Sequence, residues 1–196
     1  GRYDDAIRLR ETHDLGLPAG ETSLGQLLKG AGYATALFGK WHLGYEDKFA
    51  PGLHGFDHAL YCAGGDMDYF HHIERTPSGQ EHVLRLDGHP EKREGYYTDI
   101  IADEAERFIV ANRERPFFLY VPFTALHAPY QGPGDRLPHA LPKDSPLWNQ
   151  SKGPPAVYAA MIERMDAAVG RILAVLENEG LAARTLVIFT SDNGGT

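Results

Sequence analysis

The chain has 196 residues, of which 42% are hydrophobic and 23% charged, a composition typical of a folded globular protein rather than a disordered one. Its formal net charge of −8 argues against a nucleic-acid partner, which requires a basic surface, yet still allows a local cationic cluster that binds a small anion. No apolar run reaches membrane-spanning length, and one cysteine, Cys62, excludes a disulfide framework within the chain.

The first predicted helix begins at Ser23, which has capping-box spacing with Gln26. Leucines at 24, 27 and 28 give this helix an apolar face, and glycines mark its end. The apolar run at 33–38 then predicts a buried strand.

Two further helix-then-strand units follow along the chain. Apolar residues spaced 3.6 residues apart predict helices over 97–112 and 156–178. The continuous apolar runs 117–121 and 185–189 come after them and predict strands buried on both faces, as in a parallel sheet. This alternation predicts an α/β sandwich with a largely parallel sheet flanked by helices.

Two long segments interrupt the alternating pattern. Residues 45–95 are rich in Gly, His, Asp and Tyr, and residues 128–155 are rich in Pro and Gly. Loops of this length are usually functional or contain small elements of their own. We expect the determinants of substrate specificity to lie in these two segments.

Polar side chains follow each of the three predicted strands. Because the carboxyl ends of parallel strands lie at one edge of a sheet, we expect these side chains to meet in one crevice. They are Lys40 and His42 after the first strand, Thr124 and His127 after the second, and Ser191, Asp192 and Asn193 after the third.

These residue types suit the hydrolysis of an anionic ester. Lys40 supplies a compact positive charge for oxyanion oxygens, and the histidines can donate to those oxygens or protonate a leaving alkoxide near neutral pH. Asp192 and Asn193 offer oxygen ligands that suit Ca²⁺ or Mg²⁺ better than zinc. Two ligands are too few for a calcium site, so the remaining ones must come from elsewhere.

Structural roles compete with functional ones at several positions. His127, taken alone, is equally consistent with a hydrogen-bonded structural histidine, and the segment 192–194 also has the sequence of an ordinary turn. Cys62 has no partner signature and is interpreted as an inert small residue. Four residues have the composition of a metal cluster: Asp66, Asp68, His71 and His72. We interpret them instead as part of a polar loop, which could contact substrate.

Several segments resemble the conserved signatures of the sulfatase family. Residues 32–44, GYATALFGKWHLG, resemble the second sulfatase signature, and residues 191–195, SDNGG, resemble the metal-binding turn. Residues 1–3, 116–129 and 185–194 resemble further blocks in family order. The resemblance implies an alkaline-phosphatase-like α/β fold, incomplete at both ends. It also implies that 1–196 is one partial catalytic domain without the nucleophile segment and the C-terminal part.

The resemblance implies hydrolysis of aryl or carbohydrate sulfate esters by a formylglycine nucleophile in a periplasmic or secreted protein. A formylglycine-generating or anaerobic maturase enzyme would produce that nucleophile in the missing N-terminal segment, and the present chain alone is expected to be inactive. Lys40 and His127 would bind sulfate, His127 would also protonate the leaving oxygen, and His42 would assist sulfate expulsion. Asp192 and Asn193 would ligate Ca²⁺ or Mg²⁺.

Two alternatives remain open from the sequence. The first is a phosphate or phosphonate ester hydrolase of the same superfamily, which shares much of this motif set. The second is a non-catalytic, anion-binding pseudo-sulfatase that retains Lys40 and the metal turn without a convertible nucleophile.

Overall fold

The computed structural model describes residues 15–76, 79–149 and 153–192. The helices are α1 (Leu24–Gly30), α2 (Tyr97–Ala111) and α3 (Pro155–Asn178). The strands are β1 (Ala34–Lys40), β2 (His58–Cys62), β3 (Ile73–Thr76), β4 (Gly79–His82), β5 (Leu84–Leu86), β6 (His89–Pro90) and β7 (Phe117–Tyr120). Short 3₁₀ helices span Asp47–Phe49, Pro51–His54, Pro146–Asn149 and Ala182–Arg184.

A five-stranded sheet with the order β6-β5-β2-β1-β7 forms the centre of the fold. The central strand β1 pairs in parallel with β2 on one side and with β7 on the other, whereas β5 and β6 are added antiparallel. Lys40 lies opposite Cys62, and Leu37 lies opposite Tyr120. The three parallel strands therefore end at the same edge of the sheet, and the β3–β4 hairpin lies outside it.

The two faces of the sheet contribute to different hydrophobic clusters. Phe38 of β1 joins the larger cluster, where its ring meets Phe108 of α2 edge-on at a centroid distance of 6.0 Å. Leu37, its neighbour in sequence, belongs to a second cluster with Trp41, since successive strand side chains alternate between faces. Helix α3 packs along α2 and buries Met161 in the larger cluster.

The predicted α/β architecture and the two long helices are confirmed, since α2 and α3 begin and end within one residue of the sequence prediction. The segment 45–95 contains β2 to β6, as expected for so long an interruption. Within the described residues, no helix is long and apolar enough to cross a membrane.

The strand predicted at 117–121 is present, but the prediction that it is buried on both faces is wrong. Strand β7 covers Phe117–Tyr120, and its side chains are half-buried or exposed, with Tyr120 48% exposed. The reason is its position, because among the described residues β7 lies at the edge of the sheet, with a neighbouring strand on one side only.

The predicted strand at 185–189 is also wrong. Residues 185–190 contain no strand, and Leu186 and Ile188 are 85% and 77% exposed. An apolar, β-branched run favours extended backbone, but a strand also needs a partner with which to form a ladder, and no strand in the described ranges provides one.

Helix α1 begins with the predicted capping box. The Ser23 hydroxyl accepts from the Gln26 N–H at 3.0 Å, and the Gln26 side chain accepts from the Ser23 N–H at 2.9 Å. The same hydroxyl donates to the carbonyl of His54 at 2.5 Å, which ties the helix to the Pro51–His54 turn. Ser23 therefore satisfies backbone groups of two elements at once.

We expect Ser23→Ala to lower the free energy of unfolding by about 1 kcal/mol, because it removes the cap and the bond to His54. Thr22→Ala, at the exposed preceding residue, is the matched control and should change stability by less than about 0.5 kcal/mol. Urea unfolding of the two variants measures both values. Equal effects of the two substitutions would contradict the assigned cap.

Candidate active site

The end of β1 directs two polar side chains toward one region and a tryptophan into the core. Trp41 is 7% exposed, and its indole N–H donates to the carbonyl of Phe49 at 2.8 Å. Lys40 and His42, on either side of it in sequence, both approach Gly65. Trp41 thus acts as an anchor that holds its two neighbours at the edge of the sheet.

The backbone of this segment is hydrogen-bonded on both sides, to the residues that follow β7 and to those that follow β2. The N–H of Lys40 donates to the carbonyl of Pro122 at 2.7 Å, and the N–H of His42 donates to the carbonyl of Ala63 at 3.0 Å. Gly39 has a φ of 140°, and a Cβ there would collide with the Pro122 carbonyl. His42 itself has a φ of 52°, a backbone conformation uncommon outside glycine that recurs at functional sites.

A glycine pair after β2 forms the facing wall. A Cβ placed on Gly65 would lie 3.0 Å from Lys40 Nζ and 3.3 Å from His42 Cε1. The absence of a side chain at this position lets the lysine and the histidine lie against the backbone of the turn. Any larger residue at 65 would displace the Lys40 ammonium group.

His127 lies in the loop that follows β7, and its orientation is set locally. Its N–H donates to the carbonyl of Thr124 at 2.9 Å. Its ring Nδ1 lies 2.9 Å from the carbonyl of Ala128, and because a carbonyl can only accept, Nδ1 carries the proton. Nε2 is therefore the ring nitrogen that a substrate would meet. The imidazole side chain is 45% exposed.

Two buried tyrosines donate hydrogen bonds to backbone carbonyls of this site. The Tyr97 hydroxyl donates to the carbonyl of Gly39 at 3.1 Å, and the Tyr69 hydroxyl donates to the carbonyl of His127 at 3.1 Å. Both tyrosines are fully buried, and burial raises the pKa of each phenol well above its usual value. They stay neutral donors and tie the two histidine segments to one core. The sequence reasoning missed both residues.

The electrostatic environment keeps His42 neutral. Burial is the largest cause that lowers its pKa, to about 4, and the positive charges of Lys40 and His127 lower it further. The carboxylates of Asp66 and Asp192 act in the opposite direction. At neutral pH His42 is thus an imidazole with a free lone pair, beside a lysine that carries positive charge.

Asp192 lies within electrostatic range of His42, whereas Asn193, the other predicted metal ligand, lies outside the described residues. The charge of Asp192 acts to raise the pKa of His42. Burial raises the pKa of Tyr120 at the end of β7, and the charge of Asp192 raises it further. In the described part of the chain, no three His, Cys, Asp or Glu side chains are grouped to hold a metal ion. Asp192 offers one hard oxygen donor near His42.

The remaining sequence candidates have structural roles. Cys62 is buried, and burial raises the pKa of its thiol to about 11, which agrees with its interpretation as inert. Asp68 is fully buried and accepts N–H groups of Phe70, His71 and Leu141 at 2.9, 3.0 and 2.9 Å. It holds the two long loops together. Thr124 is buried, and its carbonyl accepts from His127.

Asp66 is the residue at the site that the sequence reasoning did not assign. It follows β2, a strand missing from the prediction, and its Oδ1 lies 3.4 Å from His127 Nδ1. A signal was available, because the apolar run 59–63 lies between Gly55 and the pair Gly64–Gly65, which is the punctuation of a strand. Recognition of β2 would have placed Asp66 at the same edge as Lys40.

The family model described as Sulfatase matches residues 6–196. This chain belongs to the sulfatase family. Among its relatives, N-acetylgalactosamine-6-sulfatase of Mus musculus is 33% identical over 192 residues, covering 91% of this chain and 34% of the relative. Arylsulfatase J of Mus musculus is 31% identical, and the match covers 95% of this chain and 31% of the relative. The arylsulfatase of Klebsiella aerogenes is 29% identical, covering 98% and 51%. The chain thus spans about a third to a half of the length of these sulfatases.

Solved structures agree with this family fold. Ps i-CgsB, solved in complex with k-i-k-neocarrahexaose, has a TM-score of 0.68 and 26% identity, with 85% of this chain and 39% of that chain covered. A protein solved with its substrate D-glucosamine-2-N,6-O-disulfate has a TM-score of 0.57 and 22% identity, with 87% and 49% covered. The sulfatase fold of this chain is therefore the alkaline-phosphatase-like α/β fold predicted from the sequence.

We expect Lys40→Ala to raise the pKa of His42, because the Lys40 ammonium group is, after burial, the largest cause that lowers this pKa. Asp66→Asn should lower the same pKa, since the Asp66 carboxylate favours the charged form. Both shifts can be measured by NMR titration of isotope-labelled histidine, in which the His42 Cε1–H signal of the unmodified protein moves near pH 4.

His82 supplies the internal control. Burial and the charge of Lys92 lower its pKa, so Lys92→Ala should raise the pKa of His82 and leave His42 unchanged. A His42 pKa that does not respond to Lys40→Ala would contradict the arrangement.

Proposed function

We propose that the protein containing this chain hydrolyses sulfate esters. The observation that carries the proposal is the convergence of Lys40, His42 and His127 at one edge of a parallel sheet, in a chain of the sulfatase family. One ammonium and two imidazoles beside each other suit an anionic group better than a neutral one. The substrate class we propose is aryl or carbohydrate sulfates, in keeping with the names of the relatives.

We further propose that the chain is one part of a longer catalytic domain. Its mammalian relatives are about three times as long, since the matched segments cover 31–34% of them. The nucleophile segment and the C-terminal part would then lie outside residues 1–196, and the 196 residues alone would not turn over sulfate esters. We also propose that the complete protein is periplasmic or secreted.

The geometry suggests a division of labour among the three side chains. Lys40 offsets the negative charge of the sulfate oxygens, including the charge that grows on them as the ester bond breaks. His42, neutral at pH 7, can take a proton from a group that has to lose one. His127 presents Nε2, because Nδ1 is engaged by the Ala128 carbonyl, and in its protonated form Nε2–H can donate to a sulfate or leaving-group oxygen.

Family membership implies a metal ion and a formylglycine. We propose that the metal ion is Ca²⁺ or Mg²⁺. When present, the formylglycine hydrate supplies the oxygen nucleophile and the metal offsets charge on the sulfate. Asp192 and Asn193 are the proposed ligands in this chain, and Asp192 lies close enough to His42 to affect its pKa. A formylglycine-generating or anaerobic maturase enzyme would be the corresponding partner.

We expect the full-length protein to cleave an aryl sulfate faster than the matching aryl phosphate. Lys40→Ala should lower kcat/KM for the sulfate by roughly 10²- to 10³-fold, because a charge aimed at the transferred group is lost. Parallel assays with nitrophenyl sulfate and nitrophenyl phosphate measure both ratios. Lys92→Ala, at an exposed lysine remote from β1 in sequence, is the matched control and should retain full activity.

Two results would overturn this proposal. Faster cleavage of the phosphate would assign the protein to the phosphate or phosphonate ester hydrolases of the superfamily. Sulfate binding without turnover of either ester would identify an anion-binding pseudo-sulfatase.

A further inference from the structure

We infer that Asp66 is a positioning residue that makes His127 the proton donor to the leaving group. The inference rests on the proposed sulfate ester hydrolysis and adds a residue to it. His127 Nδ1 lies between two acceptors, the Ala128 carbonyl at 2.9 Å and Asp66 Oδ1 at 3.4 Å. Both acceptors favour a proton on Nδ1 and hold the ring in one orientation, so that Nε2 is the nitrogen left to exchange a proton with a substrate oxygen.

The position of Asp66 in the fold explains how a carboxylate reaches this place. It comes just after the Gly64–Gly65 turn, whose backbone approaches Lys40 Nζ and His42 Cε1. Its charge is among those that act on His42, so it faces the group of histidines rather than the core. The side chain is 32% exposed, compared with 45% for His127. Both side chains of the pair are therefore partly open to solvent.

A comparison with Asp68, two residues along, separates this role from a structural one. Asp68 is fully buried, and its carboxylate accepts three backbone N–H groups that hold the loop. Asp66 is partly exposed and lies against an imidazole that the proposed reaction uses. Two carboxylates of the same loop therefore have different environments, one suited to stability and one to proton transfer.

A hydroxyl nucleophile gives its proton to the neutral His42 and forms a bond to sulfur, while the bond between sulfur and the leaving oxygen breaks. The electron pair of that broken bond stays on the leaving oxygen. The leaving oxygen takes the proton from Nε2 of the His127 imidazolium and departs as an alcohol. His127 is left neutral, with its proton still on Nδ1 between Ala128 and Asp66. Asp66 itself exchanges no proton.

The test compares substrates that differ in their need for an acid. A nitrophenolate leaves without protonation, whereas an alkoxide of a sugar or simple alcohol needs a proton. In the full-length protein, we expect Asp66→Asn to lower kcat/KM for an alkyl or sugar sulfate at least about tenfold more than for nitrophenyl sulfate. Asp66→Glu should restore part of the loss. Asp144→Asn, at an exposed loop carboxylate, is the control and should not change either rate.

A purely structural role predicts a different pattern. Asp68→Asn should lower the melting temperature and reduce both rates alike, and the same pattern in Asp66→Asn would overturn the inference. Unchanged rates in Asp66→Asn would also overturn it. If the unsubstituted protein cleaves neither sulfate, the proposed function itself fails, which is a separate outcome from a failure at Asp66.

Discussion

The parallel pairing of β1 with β2 and β7 is the constraint on which the site depends. Parallel strands that share a register end at the same edge, so the chain must leave all three strands in one place. Lys40 ends β1, the Gly64–Gly65 turn follows β2, and the loop that contains His127 follows β7. The site is therefore a consequence of topology, assembled from segments up to 87 residues apart in sequence.

Holding these segments together requires a core that reaches the edge of the sheet. Trp41 enters the hydrophobic cluster on one face, and Tyr97 and Tyr69 donate to the carbonyls of Gly39 and His127 from within the other. The first of these bonds satisfies a carbonyl that would be costly to bury unpaired, and the second fixes the backbone at His127. The same burial lowers the pKa of His42, so the packing that positions the histidine also fixes its protonation state.

The sequence predicted much of the fold because its signals were local. The helices α2 and α3 follow from a 3.6-residue period, and the capping box of α1 from two residues three apart. Lys40, His42, His127 and Asp192 were predicted from their positions after apolar runs, and the structure brings them together.

The errors arose where a feature depends on pairing or on distant contacts. The run 185–189 has the composition of a strand, but the described ranges give it no partner, and β7 is an edge strand rather than a buried one. Strand β2 was missed because it lies within a polar segment, although glycines flank its apolar run, and the position of Asp66 beside His127 depends on that strand. The roles of Tyr69 and Tyr97 depend on carbonyls 58 residues away, which no local pattern reveals.

We propose that Lys40 and His127 together bind one sulfate group. A crystal structure of the full-length protein soaked with inorganic sulfate tests it most directly. The account predicts a sulfate ion within hydrogen-bond distance of both Lys40 Nζ and His127 Nε2, which is absent in a Lys40→Ala crystal treated in the same way. Sulfate bound elsewhere, or bound equally well without Lys40, would contradict it.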